Sequence, residues 1–344
     1  MKKKYFLNAN IIDPHNSINE IGGLIVDEAG KIEAVGKKVN KNNIPSREKF
    51  IDLKENYIFP GIIDMRVFVG EPGYEYKENF RTLSNAALSG GVTSVVTMPN
   101  TNPIIDNVSM VDFIKRRGRD KSKINIFPTA SLTKNLEGKN MTEFGLLQKK
   151  GIIGFTDGIR TIQNSRLMSR IMTSAFDLNS LVIQHAEDFD LAENGMMNDG
   201  IISTKLGLQG IPDFAEKIII DRDLALLEEH KCRYHVSQIS SSKSIATIKE
   251  KKNFLKFTCG VSINNLSLNE NDVGDFRTFL KLSPPLRTEE DRVSLVEGLN
   301  KKIIDVIVSD HKPEDEEQKR LTFAQAATGS SGIETLLSLS LELY

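Results

Sequence analysis

The feature that most constrains the fold is a repeated alternation of short apolar segments and longer amphipathic segments from residue 58 onward. Amphipathic stretches such as Phe80–Leu88, Val108–Arg117 and Ile218–His230 separate the apolar segments. Eight apolar segments are predicted to be strands: 58–64, 92–98, 124–128, 152–156, 181–185, 233–237, 255–259 and 304–309. Eight strand–helix repeats over about 280 residues predict an α/β fold of the TIM (β/α)8 barrel type, whose strands are apolar because both faces are buried.

The first 57 residues have a different pattern. Short alternating segments at Tyr5–Leu7, Gly23–Val26, Lys31–Val35 and Phe50–Leu53 are separated by turn-forming residues. Period-two alternation with such turns is typical of strands that bury one face only. The sequence therefore predicts a small β-sandwich subdomain at residues 1–57 and a barrel at residues 58–344.

Polar residues stand at the ends of most predicted barrel strands. In a barrel of this type the carboxyl ends of the strands build the active site, so residues far apart in sequence are expected to converge there. These strand-end residues are Asp64, Arg66, Asn100, Asp157, His185, His235, Asn264, Asn265, Asp310 and His311.

Four of these residues are candidate metal ligands. His185 and His235 are predicted metal ligands because they lie at the ends of neighbouring strands, although a lone histidine on a strand is often only a hydrogen-bonded core residue. Asp310 ends an apolar run and is predicted to bind metal and to take a proton from an attacking water. Asp157, which precedes Gly158, fits either an Asp-Gly turn or a metal ligand.

Substrate-binding residues are expected in two loops. Asn100 follows the second strand, and its side chain offers both a donor and an acceptor, which suits a cyclic amide or imide. The proline-rich loop Leu282–Arg287 is expected to line or close the mouth with Ser283 and Pro285. Arg287 itself is expected to be paired at the surface.

Two residues at the end of the first strand argue against a complete metal site. Metal-dependent amidohydrolases often end this strand with Asp-x-His-x-His, which points two imidazoles at one metal. Here the histidine positions hold Arg66 and Phe68, and neither side chain can donate a lone pair. The chain has only five histidines, whereas a two-metal hydrolase commonly uses four or more for its site.

Composition excludes several other classes of function. The net charge of −1 gives no reason to expect binding to nucleic acid or to an anionic membrane. No apolar run approaches the roughly 20 residues of a membrane span. Cys232 and Cys259 provide neither a disulfide framework nor metal-ligand spacing. A cytoplasmic location is expected.

The chain resembles dihydroorotases of the amidohydrolase superfamily, of the type associated with aspartate transcarbamoylase. The resemblance runs from about residue 5 to the end. It implies interconversion of dihydroorotate and carbamoyl aspartate in de novo pyrimidine synthesis. The matching motifs are Pro60–Gly61 with Glu71–Gly73, Gly90–Thr93, Met98–Thr101, Phe155–Gly158, His185–Asp188, His235–Ser237, Lys281–Arg287, Ser309–His311 and Gly332–Thr335.

The departures from the family pattern fall on its chemistry. Beside Arg66 and Phe68, the chain has Gly70 in place of an arginine for the substrate carboxylate, and Asn264 and Glu314 in place of histidines. We therefore expect a catalytically silent subunit without a cofactor that supports aspartate transcarbamoylase; self-association is left open. In such a pocket Arg66 is expected to form an ion pair with Asp310 or Asp157, where it would replace the lost metal charge.

Two alternative functions remain at the level of sequence. An active dihydroorotase would hold a single zinc ion with Asp157, His185 and His235, a legal open site. Another cyclic-amide hydrolase, such as an allantoinase or hydantoinase, generally carries a bridging lysine near the end of the fourth strand, where this chain has Asp157 and Gly158. Because family members continue past the last barrel helix, the end at Tyr344 is expected to reflect a truncated chain or a reduced sandwich.

Overall fold

The computed structural model describes residues 2–343. The chain divides into two compact units, one up to Ile62 and the other from Ile63 onward. The sequence predicted a boundary after residue 57. The expectation about the end of the chain concerns Tyr344, which lies outside the described residues.

The first unit contains one five-stranded sheet, in which β1 pairs antiparallel with β2 and parallel with β4 and β5. One face of this sheet packs on a small core formed by Tyr5, Leu7, Val39 and Ile44. Ile58 pairs with Ile11, so the start of the predicted first barrel strand belongs to this sheet instead. The predicted β-sandwich stays a prediction. The strands are β1 (Lys4–Asp13), β2 (Ile18–Val26), β3 (Ile32–Gly36), β4 (Phe50–Asp52) and β5 (Tyr57–Ile58).

The second unit alternates strands with helices, as the sequence pattern predicts. Its strands are β6 (Ile62–Val67), β7 (Val92–Thr97), β8 (Asn125–Pro128), β9 (Leu181–Gln184), β10 (Met197–Asn198), β11 (Gly210–Ile211), β12 (Arg233–Val236), β13 (Thr258–Ser262) and β14 (Val306–Val308). Its helices are α1 (Phe80–Ser89), α2 (Val108–Lys121), α3 (Phe144–Lys149), α4 (Ser165–Asp177), α5 (Phe189–Ala192), α6 (Ile201–Leu206), α7 (Phe214–His230), α8 (Ser242–Lys251), α9 (Ile263–Ser267), α10 (Glu289–Asn300), α11 (Glu316–Lys319) and α12 (Leu336–Glu342).

Most strands of this unit pair in two larger groups, β6-β7-β8 and β9-β12-β13-β14, while β10 and β11 form a separate short parallel pair. Phe155 links the groups on one side through parallel bridges to Ala130 and Val182. On the other side Val67, which ends β6, forms a parallel bridge with His311, just beyond β14. The parallel pairings therefore return to the strand at which they begin.

The fourth predicted strand, at residues 152–156, is present only as these bridges. Phe155 donates its backbone N–H to Leu181 and accepts from Ile183, at 2.8 Å in each case. Gly151 precedes the segment and Gly154 lies within it, and glycine weakens a strand because it adds backbone entropy to the unfolded chain and no side-chain packing. A continuous ladder is therefore replaced by isolated contacts.

Several helices begin at residues that the sequence marks as caps. The Asn79 side chain accepts from the backbone of Arg81 and Thr82 at the start of α1, and Asn107 and Thr288 cap α2 and α10 in the same way. Such caps satisfy amide groups that the first helical turn leaves without partners. They fix where each helix starts relative to the preceding strand. Among the described residues, no helix has the length and apolar character needed to cross a membrane.

Candidate functional site

Arg66 lies at the centre of the strand ends, near the end of β6, and is almost completely buried. Its Nε atom donates to Oδ1 of Asp310 at 2.9 Å, and its Nη1 atom donates to Oγ of Ser237 at 2.8 Å. Nη1 also approaches the carbonyl oxygen of Gly158 at 3.4 Å. The guanidinium carbon lies 5.1 Å from the centroid of the Phe68 ring, within the range of a cation–π contact. The expected ion pair is therefore formed with Asp310.

Asp310 follows β14, where its backbone adopts a left-handed conformation with φ of 52°. Burial raises the pKa of this carboxyl, and the neighbouring Arg66 charge opposes the shift. A buried carboxylate needs such a partner because desolvation of an unpaired charge costs several kcal/mol. Asp310 thus has a fixed counter-ion in the position where the sequence predicted a metal ligand and proton acceptor.

Asp157 is turned toward the loop that follows β8. One carboxylate oxygen accepts from the backbone N–H groups of Leu132 at 2.8 Å and Thr133 at 3.0 Å, and the other accepts from the Thr133 hydroxyl. Burial raises the pKa of Asp157 to about 6, and the hydrogen bonds from Thr133 and Leu132 oppose this shift. The sequence left open an Asp-Gly turn or a metal ligand. The backbone turns here, since the Arg160 N–H donates to the Asp157 carbonyl at 3.2 Å, and the carboxylate itself holds the loop that follows β8, a role that the sequence did not suggest.

His185 directly follows β9, and His235 is the penultimate residue of the neighbouring strand β12. Both histidines are buried. His185 Nε2 lies 3.3 Å from the Ser283 hydroxyl, and His235 Nδ1 lies 2.7 Å from the Thr258 hydroxyl. Burial lowers the pKa of His185 to about 3, with a further contribution from the Arg66 charge, and lowers that of His235 to about 4. Both imidazoles are therefore neutral at physiological pH, and each has one nitrogen beside a hydroxyl group.

The predicted substrate-binding residues lie near these groups. The Asn100 side-chain N–H donates to the carbonyl oxygen of Asp157 at 3.3 Å, while its Oδ1 atom has no hydrogen-bond partner in the described residues. Ser283 contacts His185, and the carbonyl oxygen of Pro285 accepts from the Asn265 side chain at 2.9 Å. Pro285 therefore acts through its backbone on a neighbouring asparagine.

Gly70 and Glu314, two of the altered positions, have well-defined surroundings. A Cβ atom on Gly70 would lie 2.1 Å from the carbonyl oxygen of Tyr74, so this backbone leaves no room for any side chain. Glu314 forms ion pairs with Lys77 at 2.6 Å and Lys312 at 2.9 Å. Burial alone would raise the pKa of Glu314, but the two lysines hold it below its usual range. Asn264, another altered position, is buried just after β13.

The expectation that Arg287 is a paired surface residue is wrong. Arg287 is 3% exposed, and its guanidinium donates to the Ser240 hydroxyl at 3.1 Å, to Oδ1 of Asn198 at 2.9 Å and to the carbonyl oxygen of Ile211. Ser240 in turn donates to the buried Glu216 carboxylate. The loop before α10 therefore enters the interior, where its arginine links several strand-end loops.

Two further strand-end residues connect the first and last strands. Asp64 accepts from the Ser309 hydroxyl and from the backbone of Arg66, and burial raises its pKa to about 6. His311 Nε2 lies 2.9 Å from a carboxylate oxygen of Glu78. These contacts fix the strand that carries Arg66 against the strand that precedes Asp310.

Sequence reasoning gave no role to three residues that the structure brings into the site. Ser237 accepts from Arg66, and it follows His235 by two positions, so the alternation of strand side chains would have placed it on the same face. Glu187 and Lys312 line a cavity of about 210 Å³ together with Ser283 and Asp310. No sequence signal separates these two charged residues from ordinary surface charges.

The residues present do not fit a divalent metal ion. Within residues 2–343, no three histidine, cysteine, aspartate or glutamate side chains group in a way that could hold one. The Arg66 guanidinium contacts Asp310, and both oxygens of Asp157 are engaged by the loop after β8. A positive charge among the remaining ligands opposes metal binding, since a guanidinium stays protonated in proteins.

The chain has the fold of hydantoinases. It matches the L-hydantoinase (dihydropyrimidinase) from Arthrobacter aurescens with a TM-score of 0.83 and 21% identity, over 99% of this chain and 77% of that structure. It matches the dihydropyrimidinase from Brevibacillus agri NCHU1002 with a TM-score of 0.80 and 21% identity, over 98% and 75% of the two chains. At this level of identity the likeness concerns the fold alone.

More similar sequences define the family. Residues 55–244 match the Dihydro-orotase-like family. The dihydroorotase of Ehrlichia canis (strain Jake) is 42% identical over 98% of this chain and 76% of its own length. That of Syntrophus aciditrophicus (strain SB) is 39% identical over 97% of this chain and 78% of its own length. The chain belongs to the dihydroorotase-like family of amidohydrolases.

Proposed function

We propose that this chain is a divergent dihydroorotase-like protein that does not hydrolyse dihydroorotate and instead supports an aspartate transcarbamoylase in pyrimidine synthesis. The observation that carries the proposal is the contact of the Arg66 guanidinium with Asp310. In a metal-dependent site this carboxylate would bind the metal and accept a proton from water. Paired with a buried guanidinium, it has a permanent counter-ion, and the Arg66 charge opposes the binding of a metal ion at this carboxylate.

The strand arrangement of the second unit supports the proposal that the site derives from a metal-dependent hydrolase. We propose that the closed series of parallel pairings from β6 to β14 is the (β/α)8 barrel of amidohydrolases, and that the first unit is part of the family's β-sandwich. In that arrangement Arg66, Asp157, His185, His235 and Asp310 all stand at the carboxyl ends of barrel strands. The framework of a hydrolase is thus kept while its metal chemistry is replaced.

The alternative, a dihydroorotase with one zinc ion on Asp157, His185 and His235, is less well supported. Asp157 would have to release three hydrogen bonds from Leu132 and Thr133 before it could turn to a metal. His235 would have to bind through Nε2, since its Nδ1 atom is engaged by Thr258. Burial of the neutral imidazoles beside the Arg66 charge further disfavours a dication.

Catalytic silence is tested by assaying the purified protein for dihydroorotate hydrolysis and for the reverse ring closure. One sample contains excess zinc and the other is treated with a chelator. A zinc-dependent dihydroorotase assayed in parallel shows that the substrate and conditions are competent. We expect no turnover in either sample from folded protein. Zinc-dependent turnover would reject the proposed silence and favour the single-metal alternative.

The partner is tested by size-exclusion chromatography of the chain with aspartate transcarbamoylase from the same organism. The proposal rests on the resemblance to transcarbamoylase-associated dihydroorotases, so we expect a complex that elutes ahead of both components. Transcarbamoylase activity is measured with and without the chain. Separate elution at about 10 µM of each protein would exclude a complex with a Kd of about 1 µM or tighter, and would count against the scaffold role. Elution of the chain alone would show whether it self-associates.

A further inference from the structure

Three cavities lie side by side at the amino ends of neighbouring strands in the second unit, opposite the strand ends that carry the candidate site. Their volumes are about 510, 410 and 350 Å³. Gln148 lines both the first and the third, and Ile153 of the third donates its backbone N–H to Pro128, next to Phe127 of the second. We call this surface the amino-end face, and the residues that start its strand segments are Asn125, Ile152, Leu181 and Arg233.

Apolar side chains are exposed in each of the three cavities. Phe127, Leu146, Ile153 and Leu178 line them and are between 38% and 55% exposed. A single exposed apolar residue needs no explanation, but large apolar side chains grouped in adjoining cavities are typical of a surface that binds another molecule. Contact with apolar groups of a partner would remove these side chains from water, which is favourable.

The lining of the cavities is basic, although the whole chain has a net charge of −1. Among the described residues, the lining has five cations and one carboxylate, that of Glu143, which pairs with Lys134 at 2.7 Å. Of the five cations, only Arg119 has a carboxylate partner within residues 2–343, and the side chains of that pair are 75% and 49% exposed. The cations are Lys115, Arg119, Lys123, Lys149 and Arg233.

Helix geometry accounts for only part of this charge. Arg119 and Lys149 lie in the last turns of α2 and α3, where cations interact favourably with the helix dipole. Lys115 lies in the middle of α2, Lys123 precedes β8, and Arg233 is the first residue of β12. The dipole therefore does not explain these three cations. They give the amino-end face an excess of positive charge that attracts carboxylates.

The combination of charge and apolar cavities favours a peptide segment over other anionic partners. Single-stranded nucleic acid stacks its bases on aromatic rings, whereas three of the four exposed apolar side chains here are aliphatic. A membrane takes up apolar side chains that project from a surface, whereas these side chains line cavities. An acidic segment with apolar side chains matches both features, because interfaces combine an apolar centre with a polar, charge-complementary rim.

We propose that the amino-end face binds an acidic, amphipathic peptide segment of a partner protein. Apolar side chains of the segment enter the cavities, and its carboxylates pair with Lys123, Lys149 and Arg233. The inference goes beyond the proposed function, since it names a contact surface and the chemistry of the bound segment. It requires neither catalytic silence nor an aspartate transcarbamoylase as the partner, because the face lies at the opposite ends of the strands from Arg66 and Asp310.

The test measures binding of fluorescently labelled 12-residue peptides to the full chain by fluorescence anisotropy. The probe repeats Leu-Glu-Glu. One control repeats Ser-Glu-Glu, which keeps the charge and removes the apolar side chains, and the other repeats Leu-Lys-Lys, which reverses the charge. We expect the probe to bind with a Kd below about 100 µM in low salt, roughly tenfold or more tightly than either control. Its affinity should fall as added salt screens the charges.

Several results would overturn the proposal. A Kd of the probe above about 100 µM, or equal binding of the Ser-Glu-Glu peptide, would show that the cavities do not receive apolar side chains of an acidic segment. Tighter binding of a 12-nucleotide thymidine oligomer, or sedimentation of the chain with phosphatidylserine vesicles in the same buffer, would assign the face to another class of partner.

Charge variants locate the site. Lys123→Glu combined with Arg233→Glu reverses two cations of the amino-end face and should weaken the probe roughly tenfold or more. Lys205→Glu combined with Arg81→Glu makes the same change in charge at exposed positions on α6 and α1 and should leave the affinity unchanged. All four residues are exposed, so the variants are expected to fold. Equal affinity of the two double variants would overturn the proposal.

An apolar variant tests the cavities separately. Leu146→Ala removes an exposed side chain that lines the first cavity and should weaken the probe several-fold, whereas Ile201→Ala, at an exposed position on α6, should have no effect. Unchanged affinity of Leu146→Ala would overturn insertion of apolar side chains there. These titrations require neither turnover nor transcarbamoylase, so their failure is distinguishable from failure of the proposed function.

Discussion

Replacement of Arg66 by methionine tests the central contact of the site. The Arg66 side chain is 2% exposed and that of Asp310 is 9% exposed, so the ion pair is largely shielded from water. Methionine keeps much of the apolar volume of the arginine stem but leaves Asp310 without its counter-ion and Ser237 without a donor. The variant therefore isolates the contribution of the guanidinium.

The expected loss is large because removal of one partner leaves a buried charge unpaired. Breaking a buried ion pair in this way typically lowers the free energy of unfolding by about 3–5 kcal/mol. Arg320→Met is the matched control, since the Arg320–Glu316 pair has side chains 65% and 72% exposed. Exposed pairs of this kind contribute about 0–1 kcal/mol. Arg66→Met should thus be destabilised several times more than Arg320→Met.

The dependence on pH gives an independent check. Arg66 opposes the burial-driven rise in the pKa of Asp310, so its removal should raise that pKa further. A carboxyl whose pKa is raised by folding contributes stability that is present below its unfolded value, about 3.9, and lost as pH rises through the folded value. The gap between Arg66→Met and the wild type should therefore be smallest in acid and should widen toward neutral pH.

The assay is equilibrium unfolding in urea, followed by circular dichroism, at several pH values between 5 and 8. The double variant Arg66→Met with Asp310→Asn removes both charges and keeps a side chain that tolerates the left-handed backbone at this position. It should recover much of the lost stability, because no unpaired charge is then buried. Additive losses in the double variant would refute the coupling between the two residues. A loss in Arg66→Met no larger than that in Arg320→Met would refute the magnitude argument.

Four further predictions address the remaining side chains and the metal. Zinc content of the purified protein, measured by plasma mass spectrometry, should be well below one equivalent, and EDTA should leave the melting temperature unchanged. Burial lowers the pKa of His185 to about 3, so the neutral imidazole stabilises the fold above about pH 6.5 and this stability is lost as pH falls. In urea unfolding experiments, the difference in free energy of unfolding between the wild type and His185→Asn should shrink by about 1.4 kcal/mol for each pH unit below about pH 6.5. Asp157→Asn weakens the charge-assisted hydrogen bonds to Thr133 and should lower the free energy of unfolding by about 1–2 kcal/mol, with or without zinc. Arg287→Met leaves the side-chain carbonyl of Asn198 unpaired and should lower the free energy of unfolding by roughly 2–4 kcal/mol. Replacement of a surface arginine would lower it by less than about 1 kcal/mol.

The local pattern of the sequence was enough to predict most elements of the second unit. β7, β8, β9 and β12 lie within one residue of their predicted ranges, since each coincides with a short apolar segment bounded by polar residues, a local signal for a strand. β13 begins three residues later than predicted, at Thr258. The fourth strand was predicted as a continuous element, but it pairs only through bridges at Phe155, since Gly151 and Gly154 weaken the segment.

The sequence alone determined which residue types stand at the strand ends, including a guanidinium and a phenyl ring in place of two imidazoles. Only the tertiary structure decided how they pair. Arg66 had two candidate partners, and it binds Asp310, which is 244 residues away, while Asp157 turns to the adjacent loop. Burial of Arg287 was decided in the same way. The periodicity and composition of the sequence indicate whether a residue faces inward. Which partner it contacts depends on how strands that are distant in sequence pack together, and on the side-chain rotamers that this packing permits.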